Sequence, residues 1–189
     1  MKFLLKPSIL WSALVLASCS TDDIDTVTII RTAFHDFSID TVTGGLVHPF
    51  SMVFTPEGDL LVTERPGRLR IVRNDVLVEE PVEGLPDILA IGQGAMPQDG
   101  REQAGMRDLI LHPDFATNRL LYLSYTKAGA DSLGNIAVVR GRFENDRLSE
   151  VEELFHADAF GNGSDRSSQW GGRLAFDGNG YLFITIGDR

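Results

Sequence analysis

The sequence contains a single cysteine, Cys19, so no disulfide can form within the chain. Because Cys19 falls near the N-terminus, thiol chemistry in the folded body is excluded as well. Positive charge is also scarce: 17 Lys and Arg residues face 27 Asp and Glu residues, which gives a net charge of −10. Proteins that bind nucleic acid use clustered Lys and Arg against phosphates. We therefore expect no nucleic-acid partner.

Long hydrophobic runs are also missing. The apolar run at residues 9–17 is too short to cross roughly 30 Å of hydrocarbon. It follows Lys2 and Lys6 and leads into the letters LASC, a pattern that predicts a secretory signal peptide over residues 1–18. LASC resembles a bacterial lipobox, in which cleavage before Cys19 leaves a thiol that carries a lipid. The alternative is an ordinary signal peptide with an incidental cysteine.

Residues 19–43 are predicted to comprise the lipidated cysteine and a linker rich in aspartate. A lipid at Cys19 places the protein in the bacterial cell envelope, as a periplasmic or outer-membrane lipoprotein held to the membrane by its lipid. Within this stretch, the β-branched letters TVTII at 26–30 could form an edge strand. The folded body is predicted over residues 44–189.

The body contains an internal repeat of strand, turn and strand. Residues 52–63 match residues 174–185 position by position, and a looser copy runs from 109 to 124. The strand ends at Thr63, Ser124 and Thr185 recur at a constant interval of 61 residues. In these copies PEGD at 56–59 and DGNG at 177–180 are expected to be hairpin turns, because they lack the full ligand set of a calcium loop.

A long, regular interval between short strands is typical of an all-β β-propeller, in which each repeat is a four-stranded sheet. A third strand is predicted at 69–72 with a continuation at 76–86, and residues 135–148 form the same part of the next repeat around an Asn145-Asp146 turn. Because propellers need roughly 4–8 blades, we expect about two and a half blades of a larger ring. The alternative is a closed sandwich of about ten strands.

Three segments carry a family resemblance: TERPGRLRIV, EQAGMRDLILHPDFATNRLLYLSY and GGRLAFDGNGYLFITIGDR. They resemble the soluble glucose/sorbosone dehydrogenases, the PQQ-dependent aldose sugar dehydrogenases. The resemblance covers residues 44–189 and implies the N-terminal part of a six-bladed propeller, with PQQ and calcium at the top of the ring. It also implies an aldose substrate and an electron acceptor that the motifs do not specify.

The resemblance implies oxidation of the sugar at its anomeric carbon, with hydride passing to a quinone carbonyl while a base takes the hydroxyl proton. The family places a His as this base, two residues before the first Gly of an H-x-G-G-R-L motif. Gln169 stands at that position. A carboxamide is not basic near neutral pH, although it can donate and accept hydrogen bonds to sugar hydroxyls. Loss of a general base typically costs about 10²–10⁴-fold in rate.

Two further residues are implied to contact the sugar. Gln103 matches a substrate-contacting Gln of the family because it directly precedes the strand MRDLIL, and Gln93 in IGQGAM is a competing match. Ser168 stands where some members carry an Asp beside the base. Its hydroxyl could hold a sugar oxygen, or it could bond the backbone of a turn.

The histidines do not offer an obvious replacement base. His112, in LHPDF, is expected to be a turn residue between strands, and His156 is a weaker candidate for a surrogate base on a neighbouring loop. His35 and His48 precede or open the first blade, where surface or packing roles are expected.

The residues after Gln169 have two interpretations each. Gly171 and Gly172 either let the backbone approach a planar cofactor or form a bulge at the start of a strand. Arg173 either makes a structural ion pair or belongs to the site. The family's cofactor-binding Arg and Lys residues and its calcium ligands are expected beyond residue 189. If the base is lost, the alternative function is a non-catalytic lipoprotein that binds a sugar or another protein.

Overall fold

The computed structural model describes residues 29–90, 104–128, 134–158 and 170–187. The chain divides into two compact units, residues 1–40 and 41–189. In the first unit, β1 (Ile29–Arg31) pairs antiparallel with β2 (Asp36–Ser38). The end of the predicted TVTII strand therefore lies in β1, and residues 26–28 fall outside the described residues.

The second unit begins with a four-stranded antiparallel sheet. Its strands are, in order, β3 (Pro49–Phe54), β4 (Leu60–Glu64), β5 (Arg68–Arg73) and β6 (Val76–Leu77). The PEGD hairpin turn is confirmed: the Thr55 N–H donates to the Asp59 carbonyl at 2.8 Å, and Gly58 has a φ of +97°. The predicted continuation at 76–86 was too long, because only β6 forms a strand there. Beyond it the Val78 and Val82 N–H groups still donate to carbonyls of β5 at 2.9 Å, but without the regular ladder of a strand.

The second sheet is again a four-stranded antiparallel meander. Its elements are β7 (Met106–Leu111), the short helix α1 (Phe115–Asn118), β8 (Leu120–Ala128), β9 (Gly134–Glu144) and β10 (Arg147–His156). The predicted turn between the last two strands is confirmed, with φ of +52° at Asn145 and +57° at Asp146. Within the described residues, no helix is both long enough and apolar enough to cross a membrane.

The third sheet consists of β11 (Gly171–Phe176) and β12 (Leu182–Ile186), joined by the DGNG turn. The Asp177 carboxylate holds this turn by accepting from the backbone N–H groups of Asn179 at 2.9 Å and Tyr181 at 2.7 Å. These bonds lower the pKa of Asp177, the bond from Tyr181 contributing most.

The sheets pack face to face, and the central strand β8 shows how. Side chains alternate between the two faces of a strand. Leu121 and Leu123 face the core shared with the first sheet, whereas Tyr122 packs with Leu174 and Phe176 of the third. The rings of Tyr122 and Phe176 meet edge to face, 5.0 Å between centroids. Each sheet thus covers a face that its neighbour cannot cover alone.

This arrangement confirms the all-β prediction and the propeller: two complete four-stranded blades are followed by the first two strands of a third. The sandwich alternative is wrong, because the three sheets are stacked consecutive meanders rather than two facing layers. Met52 and Phe54 on the first blade are 67% and 66% exposed, and Phe183 on the third is 59% exposed. Within the described residues, the outer faces of the stack are therefore apolar.

Candidate functional site

The 61-residue repeat places a hydroxyl on the second strand of each blade. Ser124 lies in the middle of β8, so the strand end predicted there is wrong. In every blade this hydroxyl accepts a hydrogen bond from a backbone N–H of the innermost strand at 2.9 Å. The pairs of donor and acceptor are Ser51 with Thr63, Asp108 with Ser124, and Arg173 with Thr185.

The same hydroxyls join one blade to the next. The Thr63 Oγ1 donates to the Arg107 carbonyl at 2.8 Å, and the Ser124 Oγ donates to the Gly172 carbonyl. Thr63 and Ser124 are fully buried. A buried hydroxyl that both accepts and donates satisfies its hydrogen-bonding capacity, which makes the link favourable in an apolar interface.

Asp108 is the buried acid of this region, with 3% of its surface exposed. Its Oδ1 accepts from the Ser51 Oγ at 2.6 Å and from the Arg173 Nη1 at 2.9 Å, and its Oδ2 accepts from the Leu174 N–H at 2.8 Å. One carboxylate therefore ties the second blade to both neighbours. Of the two roles predicted for Arg173, the ion pair is present in the structure.

Arg107, the residue before Asp108, is 8% exposed. Its Nε and Nη2 donate to the Gly171 carbonyl at 3.2 and 3.1 Å, and its guanidinium carbon lies 4.4 Å from the centroid of the Phe50 ring. Burial lowers the pKa of Arg107 to about 10, and the positive charges of Arg65 and Arg173 add to the effect. This buried cation therefore bridges the first and third blades.

Gly171 and Gly172 form a bulge at the start of β11. The register against β12 shifts between Gly171 and Leu174, and the glycine φ values are +70° and +93°. A Cβ on Gly171 would lie 2.6 Å from the backbone nitrogen of Gly187, so no larger residue fits there unchanged. The bulge interpretation is confirmed. The alternative, close approach to a planar cofactor, stays a prediction.

Trp170 anchors the chain just before this bulge. It is 1% exposed, its carbonyl accepts from the Gly187 N–H at 3.1 Å, and it packs in a cluster with Ala104 and Ala157. Gly134 permits this packing, because a Cβ there would lie 2.8 Å from the indole ring.

The predicted site residues themselves lie outside the described residues. They are Cys19, Gln93, Gln103, Ser168 and Gln169. The residues that directly follow two of them are described: Ala104 follows Gln103, Trp170 follows Gln169, and both belong to the same buried cluster. The residues predicted to contact the substrate and to stand at the position of the base are thus each adjacent in sequence to a member of one buried cluster between the second and third blades.

His112 has the surroundings expected of a turn residue. The His112 Nδ1 accepts from the Asp114 N–H at 2.9 Å in the turn after β7, and its ring packs beside Tyr122. His156 is exposed at the end of the outermost strand β10. His35 and His48 are also exposed. The His35 carbonyl accepts from the Thr32 N–H in a local turn, and the His48 carbonyl accepts from the Arg65 N–H across the β3–β4 hairpin.

The described residues do not by themselves fit PQQ or calcium. No three His, Cys, Asp or Glu side chains converge within the described ranges, so they supply no carboxylate cage. PQQ is a flat polyanion that would need cationic partners. Arg107 is bonded to the Gly171 carbonyl and Arg173 to Asp108, so both nearby guanidiniums are already engaged within the protein.

Sequence reasoning missed Arg107 and Asp108. Two signals pointed to them: adjacent opposite charges stand in the otherwise apolar strand MRDLIL, and Asp108 directly precedes the looser copy of the repeat as Ser51 precedes the first copy. Two charges in a strand that should be buried require partners, and here those partners lie in the flanking blades.

The chain belongs to the glucose/sorbosone dehydrogenase family, whose model matches residues 46–189. It is 35% identical over 152 residues to the aldose sugar dehydrogenase YliI of Escherichia coli K12, covering 80% of this chain and 38% of that protein. Its fold matches the solved apo-form of the soluble aldose sugar dehydrogenase of Escherichia coli, with a TM-score of 0.66 and 34% identity over 78% of this chain and 40% of that one.

A PQQ-bound aldose sugar dehydrogenase from Streptomyces coelicolor shares the fold, with a TM-score of 0.62 at 22% identity, covering 86% of this chain and 42% of that chain. The chain therefore spans about two fifths of the length of the relatives it matches.

Proposed function

We propose that the chain is part of a PQQ-dependent oxidoreductase that oxidises aldose sugars at the anomeric carbon. Membership of the glucose/sorbosone dehydrogenase family supports this proposal, as does similarity to an aldose sugar dehydrogenase. We assign no described residue to the quinone or to its calcium.

The observation that carries the proposal is the shared cluster of Ala104 and Trp170. Consecutive Cα atoms are 3.8 Å apart. Gln103 and Gln169 are each one residue away from this cluster, and so we propose that they contribute to a single sugar-binding site. Gln103 is the proposed sugar contact, with Gln93 as its competitor and Ser168 as a further hydroxyl donor.

The proposed role of Gln169 is to bind a sugar hydroxyl rather than to take its proton. An amide donates and accepts hydrogen bonds but does not ionise near neutral pH. The wild-type protein is therefore expected to oxidise aldoses at a rate about 10²–10⁴-fold lower than that of a variant with a base at this position.

The test is reconstitution of the full gene product with PQQ and calcium, followed by dye-linked oxidation of aldoses and identification of the product as the C1-oxidised sugar. Omission of PQQ is the control. Gln103→Ala and Gln93→Ala are compared, and the residue that contacts sugar is the one whose loss raises KM. Oxidation at another carbon, or turnover that does not require PQQ, would refute the proposal.

A second candidate is a non-catalytic lipoprotein that binds a sugar or a protein, and Gln169 is the feature that favours it. Calorimetric titration with aldoses distinguishes the two. Sugar binding without turnover, both in the wild type and in Gln169→His, supports the binding protein.

We also propose that Cys19 carries a lipid and anchors the protein in the cell envelope. Expression in bacteria with labelled palmitate tests this, with Cys19→Ala as the control. The proposal expects label and membrane association in the wild type and neither in the variant. An unlabelled, freely secreted wild-type protein would contradict it.

A further inference from the structure

The start of β11 depends on side chains from another blade. Between Gly171 and Leu174 the ladder with β12 is interrupted. In this interval three backbone groups bond to side chains of the second blade: the Gly171 carbonyl to Arg107, the Gly172 carbonyl to Ser124, and the Leu174 N–H to Asp108.

Arg107 differs from the other two because it reaches furthest toward Trp170. Its two donors converge on one carbonyl, at 3.2 and 3.1 Å, and the Phe50 ring lies against the guanidinium. The planar fork of arginine suits a fixed, stacked position better than the flexible ammonium of lysine does. The opposite side of the same short segment is held by the Gly187 N–H, which bonds the Trp170 carbonyl.

We propose that Arg107 is a positioning residue that fixes the backbone of Trp170, Gly171 and Gly172 from the neighbouring blade. Its effect on catalysis rests on the proposed function, which assigns ligand contacts to the residues immediately before Trp170. In this arrangement the second blade sets the direction in which the chain enters β11.

The cost of holding this cation supports a specific role. Arg107 is nearly fully buried between Arg65 and Arg173, and a buried cation beside like charges is unfavourable unless it is well bonded. Methionine at this position would keep much of the packing on Phe50 but would leave the Gly171 carbonyl without its fork of donors.

The test measures hydrogen–deuterium exchange in the full gene product for wild type, Arg107→Met and Arg107→Lys. The Gly187 amide, which bonds Trp170, is the reporter. We expect its exchange to speed up about tenfold or more in Arg107→Met, as for loss of one to two hydrogen bonds, and by less in Arg107→Lys. Exchange rates in the core of the first blade, at the Leu61 and Leu69 amides, should stay within about twofold of the wild-type rates. Arg147→Met is the matched control, since Arg147 pairs with Glu83 at the exposed surface.

Fluorescence gives a second readout, because Trp170 is the only tryptophan of this sequence outside the predicted signal peptide. In the full gene product, with every tryptophan other than Trp170 replaced by phenylalanine, Arg107→Lys should shift the emission of Trp170 to the red relative to Arg147→Lys. Unchanged exchange and emission in both Arg107 variants would overturn the proposal. A loss of protection spread evenly over all blades would overturn it too, because that result indicates general destabilisation.

Activity separates the positioning role from the proposed function. In a Gln169→His background, Arg107→Lys should lower kcat by about tenfold or more with a smaller change in KM, while Arg147→Lys leaves both unchanged. If exchange at Gly187 responds but no variant oxidises aldoses, the positioning role stands and the proposed function fails. If aldose oxidation is present but does not respond to Arg107, the catalytic part of the inference is wrong.

Discussion

The carboxylate of Asp108 accepts a hydrogen bond from the backbone N–H of Leu174 at 2.8 Å, across the interface between the second and third blades. The same group accepts from Ser51 in the first blade. A single buried charge thus joins three consecutive sheets at their innermost strands. Its neighbour Arg107 makes the complementary connection with a cation. These two residues, and not the apolar surfaces alone, fix how the blades are aligned.

Replacement of Asp108 by Asn should destabilise the protein strongly. The amide nitrogen would point a donor at groups that already donate, and bonds to a charged acceptor contribute roughly 1.5–3 kcal/mol. We expect a loss of about 3 kcal/mol in the free energy of unfolding, measured by urea denaturation. Asp75→Asn, in an exposed turn with a φ of +63°, is the control and should change stability by less than about 0.5 kcal/mol. Equal effects of the two changes would contradict the role of Asp108.

The bulge at the start of β11 predicts a difference between two glycines. Gly171 and Gly58 both have positive φ, +70° and +97°. A Cβ on Gly58 meets nothing within 4 Å, whereas one on Gly171 would clash with the backbone of Gly187. We expect Gly58→Ala to cost about 1 kcal/mol and Gly171→Ala about 2–4 kcal/mol in thermal unfolding. A cost for Gly171→Ala no greater than that for Gly58→Ala would show that the bulge is not constrained.

The hydroxyl of Thr63 should contribute more to stability than that of an exposed threonine. Thr63 is buried and its hydroxyl donates to the Arg107 carbonyl of the next blade, whereas Thr117 in α1 is exposed. Thr63→Val should therefore cost about 1–3 kcal/mol and Thr117→Val less than about 0.5 kcal/mol. Denaturant unfolding of the two isosteric variants measures the difference, and similar costs would argue against the link between blades.

A pH-dependent contact joins the outer parts of the first two blades. The Arg73 Nη2 donates to Asp146 at 2.8 Å and its Nη1 at 3.1 Å, and hydrogen bonding to Arg73 lowers the pKa of Asp146. A carboxyl with a lowered pKa stabilises the fold above its unfolded pKa, and that stabilisation is lost as the pH falls through the folded value.

Asp146→Asn should therefore destabilise the protein at pH 7 and lose this effect in acid. The side chains are about two fifths exposed, so we expect only about 0.5–1 kcal/mol at pH 7. The difference from the wild type should shrink below about pH 4. Unfolding free energies of the two proteins between pH 3 and 7 test this. A difference that is constant over the range would show that ionisation of Asp146 plays no part.

The repeat allowed the architecture to be predicted from the sequence. Matching strands and turns at a fixed interval identified the propeller, and the recurring residues Thr63, Ser124 and Thr185 each bond the innermost strand of their own blade. The predicted length of β6 was wrong, because beyond Leu77 the chain bonds β5 through the Val78 and Val82 N–H groups without the regular ladder of a strand.

The partners of Arg107 and Asp108 could not be read from the sequence in the same way. Their contacts lie about 64–66 residues further along the chain, in another blade, and depend on the register shift at Gly171. Two glycines are compatible with a bulge or with a close approach to a cofactor, and only the backbone conformation shows the bulge. The assignment of Gln169 still rests on the family motif.

The most direct measurement of the central claim is the pH dependence of kcat/KM for aldose oxidation by the PQQ-reconstituted wild type and by Gln169→His, with Gln169→Asn as the control amide. We predict that the histidine variant is faster by about 10²–10⁴-fold, with a rate that rises through the imidazole pKa near 6.5, and that both amide forms are slow and lack this rise. A wild type as fast as Gln169→His would show that the base lies elsewhere and contradict the account.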